Sequence, residues 1–258
     1  MKIPFNKYQG AGNDFIIIDN RRNFFNNGDH TLINRLCDRR FGIGADGLIF
    51  IETDPEEDFR MRYFNSDGHE GSMCGNGGRC SAAFAIRAGI AGQKLSFRAV
   101  DGIHHAVAEN LNINLQMNDV SAFQLIDNNY FINTGSPHYI LFRNDIDGID
   151  VTSEGKTIRW SDHFNPGGTN VNFVEVTESG IYVRTFERGV EEETLSCGTG
   201  VTASAIASVL SGHFVTNTIS VRTRGGDLSV SFKVDGNKIS DVHLSGPAAF
   251  VFEGEIDV

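Results

Sequence analysis

The sequence predicts an α+β protein built from two similar domains. Short runs of β-branched and aromatic residues, bounded by Gly, Asn and Asp, recur along its whole length, whereas only a few segments have helical periodicity. A Cys-Gly-x-Gly element heading an alanine-rich helix occurs twice, as "CGNGGRCSAAFAIRAG" and "CGTGVTASAIASVLSG", nearly half the chain apart. A mixture of strands and segregated helices, with one distinctive element repeated, points to two α+β units.

Taken in order, a strand is expected at residues 2–9, then the glycine turn "GAGND" and a strand at 15–19. An amphipathic helix fits 31–40, with Leu32, Leu36 and Cys37 on one face. Strands at 47–52 and 59–65 lead to the first glycine run and a helix at about 78–88, ended by Gly89. Strands at 94–99, 103–109 and 112–117 complete the first half. The second half repeats the plan with strands at 124–128, 130–133 and 138–142, and a helix in "TSEGKTIRWSDHF". Strands at 170–176 and 180–186 follow, then the second Cys-Gly run and a helix at 200–211 stopped by Gly212. Strands at 218–223, 228–234, 241–245 and 249–252 close the chain. The expected domains are 1–118, completed by the C-terminal strand 247–258, and 119–246, with the junction near 118–123.

The 258 residues carry a net charge of −11 and no clustered Lys/Arg face, which argues against a nucleic-acid partner. No segment reaches the apolar length of a membrane span, and the N-terminus lacks a signal-peptide core. The expectation is a cytoplasmic protein with a small-molecule partner and reduced thiols. The four cysteines lack metal-ligand spacing, so no metal is expected. His104 and His105 are neighbours in a strand and point to opposite faces. "GIGADG" at residues 42–47 spells the dinucleotide fingerprint, but a helix precedes it and a strand follows, the reverse of the required order.

A cysteine at a helix start has its thiolate stabilised by unpaired N–H groups and by the positive end of the helix dipole. Adjacent glycines let a carboxylate approach the backbone. Either thiol alone could be a packing residue at a tight turn, while Cys37, on the apolar face of its helix, and Cys80, on a different side of the helix start from Cys74, are expected to be core residues. Two such thiols, one per half, fit an interdomain site for two-base chemistry at a carbon acid. One thiolate takes an α-proton, the opposite thiol returns one to the other face, and configuration inverts. No cofactor motif is evident, and none is required if helix N-termini hold the substrate carboxylate.

The chain resembles the diaminopimelate epimerase family in "GAGNDF", "GIGADGL", "NSDGHEGSMCGNGGRC", "NTGSPHY", "GTNVNF" and "FERGVEEETLSCGTG". The resemblance implies two pseudo-symmetric domains, each a mixed or antiparallel barrel-like sheet around a central helix. It also implies a cofactor-independent epimerase interconverting LL- and meso-diaminopimelate for lysine and peptidoglycan synthesis, and a homodimer. By the same resemblance, Cys74 and Cys197 are the acid–base pair, and the backbones of Gly75-Asn76 and Gly198-Thr199 hold the reacting carboxylate. Asn13, Asn65, Asn170 and Arg188 bind the rest of the substrate, with Ser136 and Glu187 contributing, while His138 and Glu187 tune the thiols. From the residues alone, Arg188 could equally be a surface charge and His138 a satisfied turn histidine. Three departures bear on substrate contacts: Ser136 where asparagine is frequent, Gly47 where some members carry glutamine, and a loop one residue longer at Glu191–Glu193 that adds negative charge near the entrance. A proline-racemase-like enzyme would carry histidine where this chain has Asn76. A thiol hydrolase would leave the second Cys-Gly element unexplained, and a binding module would need neither thiol.

Overall fold

The computed structural model describes residues 2–25, 28–110 and 112–258, and the chain divides into two compact units. One comprises residues up to Leu115 with Gly246–Val258; the other comprises Gln116–Ser245. There are four α-helices among the described residues, and strands dominate both units.

In the first unit, β1 (Lys2–Gly10) pairs antiparallel with β17 (Ala249–Asp257) and with β2 (Asn13–Asp19). Ala11 and Gly12 between β1 and β2 both have positive φ, the backbone that matches a tight hairpin to strand twist. From β2 the sheet continues parallel to β3 (Gly47–Glu52), antiparallel to β4 (Phe59–Asn65) and parallel to β5 (Lys94–Ala99). It ends antiparallel through β6 (Gly102–Glu109) to β7 (Asn112–Gln116). Phe15, Ile16, Ile17 and Ile18 are all buried, because β2 is covered on both faces. Helix α1 (His30–Cys37) covers one face, where Ile33, Leu36 and Cys37 pack with Ile16, Ile18, Leu48 and Phe50. Helix α2 (Gly75–Arg87) touches β1, β2, β3, β4, β6 and β17. A helix reached by strands from both ends of the sheet order is enclosed, so α2 is the central helix.

The second unit repeats this order. Antiparallel β8 (Phe123–Ile126), β9 (Asn129–Asn133) and β10 (Pro137–Phe142) lead to β11 (Asn170–Thr177), parallel to β10. Antiparallel β12 (Gly180–Glu187) follows, and β14 (Thr218–Thr223) lies parallel to it. Antiparallel β15 (Gly226–Asp235) and β16 (Lys238–Pro247) complete the run. Helix α3 (Val151–Arg159) stands where α1 does, and α4 (Gly198–Leu210) where α2 does. The alternation of parallel and antiparallel pairings is the same in both units, which makes the duplication structural and not merely one of motif.

Several boundaries differ from those the sequence suggests. Helix α1 stops at Cys37, not at residue 40, because the Asp38 carboxylate accepts from the N–H groups of Arg40 and Phe41 and turns the chain. Ile33 is buried on its face, and Leu32 is only half-buried. Helices α2 and α4 begin at Gly75 and Gly198, three and two residues earlier than glycine's poor helix propensity suggests. "TSEGKTIRWSDHF" breaks after Arg159 into a 3₁₀ turn at Asp162–Phe164. A short strand, β13 (Glu192–Thr194), pairs with β12 although its charged sequence carries no strand signal.

Gly155 marks where α3 meets its sheet. A Cβ at this position would stand 2.3 Å from Phe186 Cβ on β12. Gly→Ala within a helix ordinarily stabilises by up to about 1 kcal/mol, but overpacking costs about 1–3 kcal/mol. Gly155→Ala should therefore lower stability, and equilibrium urea denaturation will show a reduced midpoint.

Candidate active site

Cys74 is the N-cap of α2 and Cys197 the N-cap of α4, each in extended backbone conformation with no side-chain cap bond. The first bond of each helical ladder runs from Gly78 N–H to the Cys74 carbonyl (2.7 Å) and from Val201 N–H to the Cys197 carbonyl (2.8 Å). The N–H groups of Gly75, Asn76 and Gly77, and of Gly198, Thr199 and Gly200, therefore precede the ladder and form the positive helix end. Cys74 is half-buried and Cys197 buried. The other two thiols differ in kind. Burial pushes both Cys37 and Cys80 up to about 12, so both stay protonated at neutral pH and act as core residues.

Around Cys74, Asn13 is central. Its Oδ1 accepts from Cys74 Sγ (3.6 Å) and from Asn76 Nδ2 (3.3 Å), while its Nδ2 donates to Asp46 Oδ2 (2.7 Å). A carboxylate can only accept, so Asp46 fixes which way the Asn13 amide faces. Asp46 is in turn tied to Asp14 and Arg39. Asn76 is buried and its Oδ1 accepts from Arg79 Nη2 (2.8 Å). Sequence reasoning passes over Arg79, although it is the lone charge in a helix start of small residues. It is wholly buried with no carboxylate partner among the described residues. Burial pushes its pKa down, and the nearby thiols Cys80 and Cys74 act the other way. Asn65 ends β4 and is exposed, its amide beside Gly71.

Around Cys197, Thr199 Oγ1 lies 3.4 Å from Sγ and 2.9 Å from His138 Nε2. His138 is fully buried, and burial together with the charge of Arg188 pushes it down to about 3; it is a neutral imidazole. Its other nitrogen faces Asn172, and Asn172 faces Thr185. The sequence does not single out either partner, though Asn170 and Asn172 in "GTNVNF" share one strand face, an unusual pair for a buried strand. Gly200 is needed here, since a Cβ would stand 2.4 Å from Asn172 Oδ1. Asn170 Nδ2 donates to Ser136 Oγ and to the Pro137 carbonyl, and its Oδ1 accepts from Arg188 N–H, all at 2.8 Å. Arg188 is exposed, its guanidinium making a 3.4 Å contact with the Gly167 carbonyl. Glu187 precedes it at the half-buried end of β12.

The departures at Gly47 and in the acidic loop have structural explanations. A Cβ at Gly47 would lie 2.4 Å from the Tyr63 ring, leaving no room for a side chain. Glu191 pairs with Arg159, and Glu193 pairs with Arg184 and Arg224, so the longer loop adds less free negative charge than its sequence suggests.

A duplicated α+β unit with a cysteine capping each central helix defines a class of fold that solved structures share. The chain superimposes on a phenazine biosynthesis protein of the PhzF family from Bacillus anthracis with a TM-score of 0.78 at 15% identity, covering 100% of both chains. It superimposes on a probable proline racemase from Agrobacterium radiobacter K84 with a TM-score of 0.71 at 14% identity, covering 99% of this chain and 92% of the other. Sequence narrows the class. The family model for diaminopimelate epimerase matches residues 5–121 and 130–251. Diaminopimelate epimerases of Flavobacterium psychrophilum and Chlorobaculum tepidum are 51% and 44% identical, over 97% and 96% of this chain and 98% of each relative. The chain belongs to the diaminopimelate epimerase family.

Asp14 is hydrogen-bonded to Asp46, which orients Asn13, and is paired with Lys7 and Arg39 at 2.7 Å. Burial opposes its ionisation, but the two cations outweigh it and bring it down from 3.8 to about 2. With the folded pKa below the unfolded one, the stabilisation is complete above about pH 4 and is lost as pH falls toward 2. Wild type should be more stable than Asp14→Asn at neutral pH by about 1 kcal/mol, because the exposed Arg39 partner is screened by solvent. Chemical denaturation across pH will show the gap closing through the acid range.

Proposed function

We infer that this protein epimerises diaminopimelate, interconverting the LL and meso isomers, through the thiols of Cys74 and Cys197. The observation that carries this reading is the recurrence of one arrangement in both units, a cysteine capping a central helix. It is supported by full-length similarity to diaminopimelate epimerases.

One thiolate removes the α-hydrogen as a proton, and its sulfur becomes a thiol. The other thiol gives its proton to the opposite face of the carbanion and becomes a thiolate. The cycle consumes no net proton and leaves the two sulfurs with exchanged roles. The carbanion forms beside a carboxylate, and helix-start N–H groups of Gly75-Asn76 and Gly198-Thr199 suit the negative charge that spreads onto its oxygens. Arg188 suits the distal carboxylate, because its exposed guanidinium presents a planar fork. Asn13, Asn65, Ser136, Asn170 and Glu187 are assigned to the remaining polar groups of the substrate, and His138 with Glu187 to tuning of the thiols. The chemistry needs no cofactor in this reading. The protein acts in the cytoplasm, where its thiols stay reduced, as a homodimer. No described helix is long and apolar enough to cross a membrane.

Epimerisation in deuterium oxide tests the mechanism. Wild type should incorporate solvent deuterium at the α-carbon while it converts LL- to meso-diaminopimelate. Cys74→Ala and Cys197→Ala should each lose epimerisation by at least about a thousandfold. Full activity in either variant would refute the two-thiol assignment.

A further inference from the structure

The hydrogen bonds beneath Cys197 can be followed in one direction, from Thr185 to the thiol. At the far end the Thr185 hydroxyl donates to Asn172 Oδ1 (2.9 Å). The other end of the amide, Nδ2, lies 3.0 Å from His138 Nδ1. An amide nitrogen can only donate, so His138 Nδ1 accepts and carries no proton. A neutral imidazole with a bare Nδ1 holds its proton on Nε2, and Nε2 faces Thr199 Oγ1 at 2.9 Å. Thr199 Oγ1 thus receives a hydrogen bond and keeps its own hydrogen to give. The acceptor in reach is Cys197 Sγ at 3.4 Å.

The arrangement is rigid. Asn172 and Thr185 face each other in the β11–β12 register, and both are buried, as is His138. Gly200 lets the α4 backbone close over the Asn172 amide. The charged group that acts on the chain is Arg188, at the end of β12, whose positive charge opposes protonation of His138. A charged imidazolium would offer protons from both nitrogens and would lose the bond from Asn172, so burial and Arg188 both preserve the direction. A hydroxyl hydrogen aimed at sulfur favours the thiolate over the thiol.

We propose that Thr199 is a positioning residue whose hydroxyl, at the end of a one-way chain from Thr185 through Asn172 and His138, holds Cys197 as the thiolate that opens the catalytic cycle. This rests on the reading of Cys197 as an acid–base group, but its test does not require turnover.

The test is the pH dependence of Cys197 alkylation by iodoacetamide without substrate, read on the Cys197 peptide by mass spectrometry. Thr199→Val keeps the shape and removes the hydroxyl; its alkylation midpoint should rise by about one pH unit. Thr199→Ser restores the hydroxyl and should return the midpoint to the wild-type value. A Thr199→Val profile that overlays wild type would overturn the proposal. A second measurement uses wild-type protein alone: long-range ¹H–¹⁵N correlation of the His138 ring should show the neutral tautomer protonated at Nε2. A ring protonated at Nδ1 would reverse the chain and equally overturn it. Should Cys197→Ala keep full epimerase activity, the catalytic reading would fail while the alkylation and tautomer results would still decide the role of Thr199.

Discussion

Each unit depends on a helix enclosed by its own sheet, and enclosure dictates how that helix can begin. A buried helix start cannot leave its first N–H groups to water, and bulky side chains would hold everything else away from them. Here the first turn is Gly-Asn-Gly in α2 and Gly-Thr-Gly in α4, with a cysteine as the cap. Gly77 lies against Ile49 and Met61, and Gly200 against Asn172 and His138, at distances that leave no room for a Cβ to stand without displacement. The outcome is a concentrated positive end of a dipole in a partly dry setting, next to a soft and ionisable sulfur.

On this shared frame the two units build different surroundings. Beside Cys74 the chain of side chains ends in carboxylates: Asp46 orients Asn13, which presents an acceptor oxygen to the sulfur. Beside Cys197 it ends in a hydroxyl, and a neutral histidine presses the hydrogen of that hydroxyl toward the sulfur. An acceptor suits a thiol that has a proton to give, and a donor suits a thiolate ready to take one. The two-base epimerisation inferred above needs one of each at the start of a cycle, and these different neighbours suit such a pair.

Much of the frame is legible in the sequence. The short apolar runs "FIIID" and "GLIFIE" place strands β2 and β3 without help from tertiary contacts, and Gly89 and Gly212 mark helix ends through their positive φ. The starts of α2 and α4 are less legible, because glycine has low helix propensity and nothing local shows that a sheet will enclose the segment. The end of α1 is obscured for the converse reason: the Asp38 carboxylate competes for backbone N–H groups that periodicity alone would assign to the helix. Of the site, both cysteines stand out in the sequence because their context repeats. Arg79, Asn172 and Thr185 do not, since each is an ordinary polar residue until its neighbours are known.

The sequence by itself determined the two-unit α+β plan, the pair of helix-capping thiols and the family, because periodicity and motif are local properties of the chain. The sequence also marked Cys37 and Cys80 as core residues, and only the tertiary structure decided which way the hydrogen bonds run beneath Cys197. Cys80 is core because α2 turns it away from the helix start into full burial, and Cys37 because α1 packs it on the sheet. The chain from Thr185 to Cys197 joins β12, β11, β10 and α4, segments that meet only through strand register and helix enclosure. Its direction depends on how the Asn172 amide faces His138, residues far apart in sequence, and no local pattern encodes it.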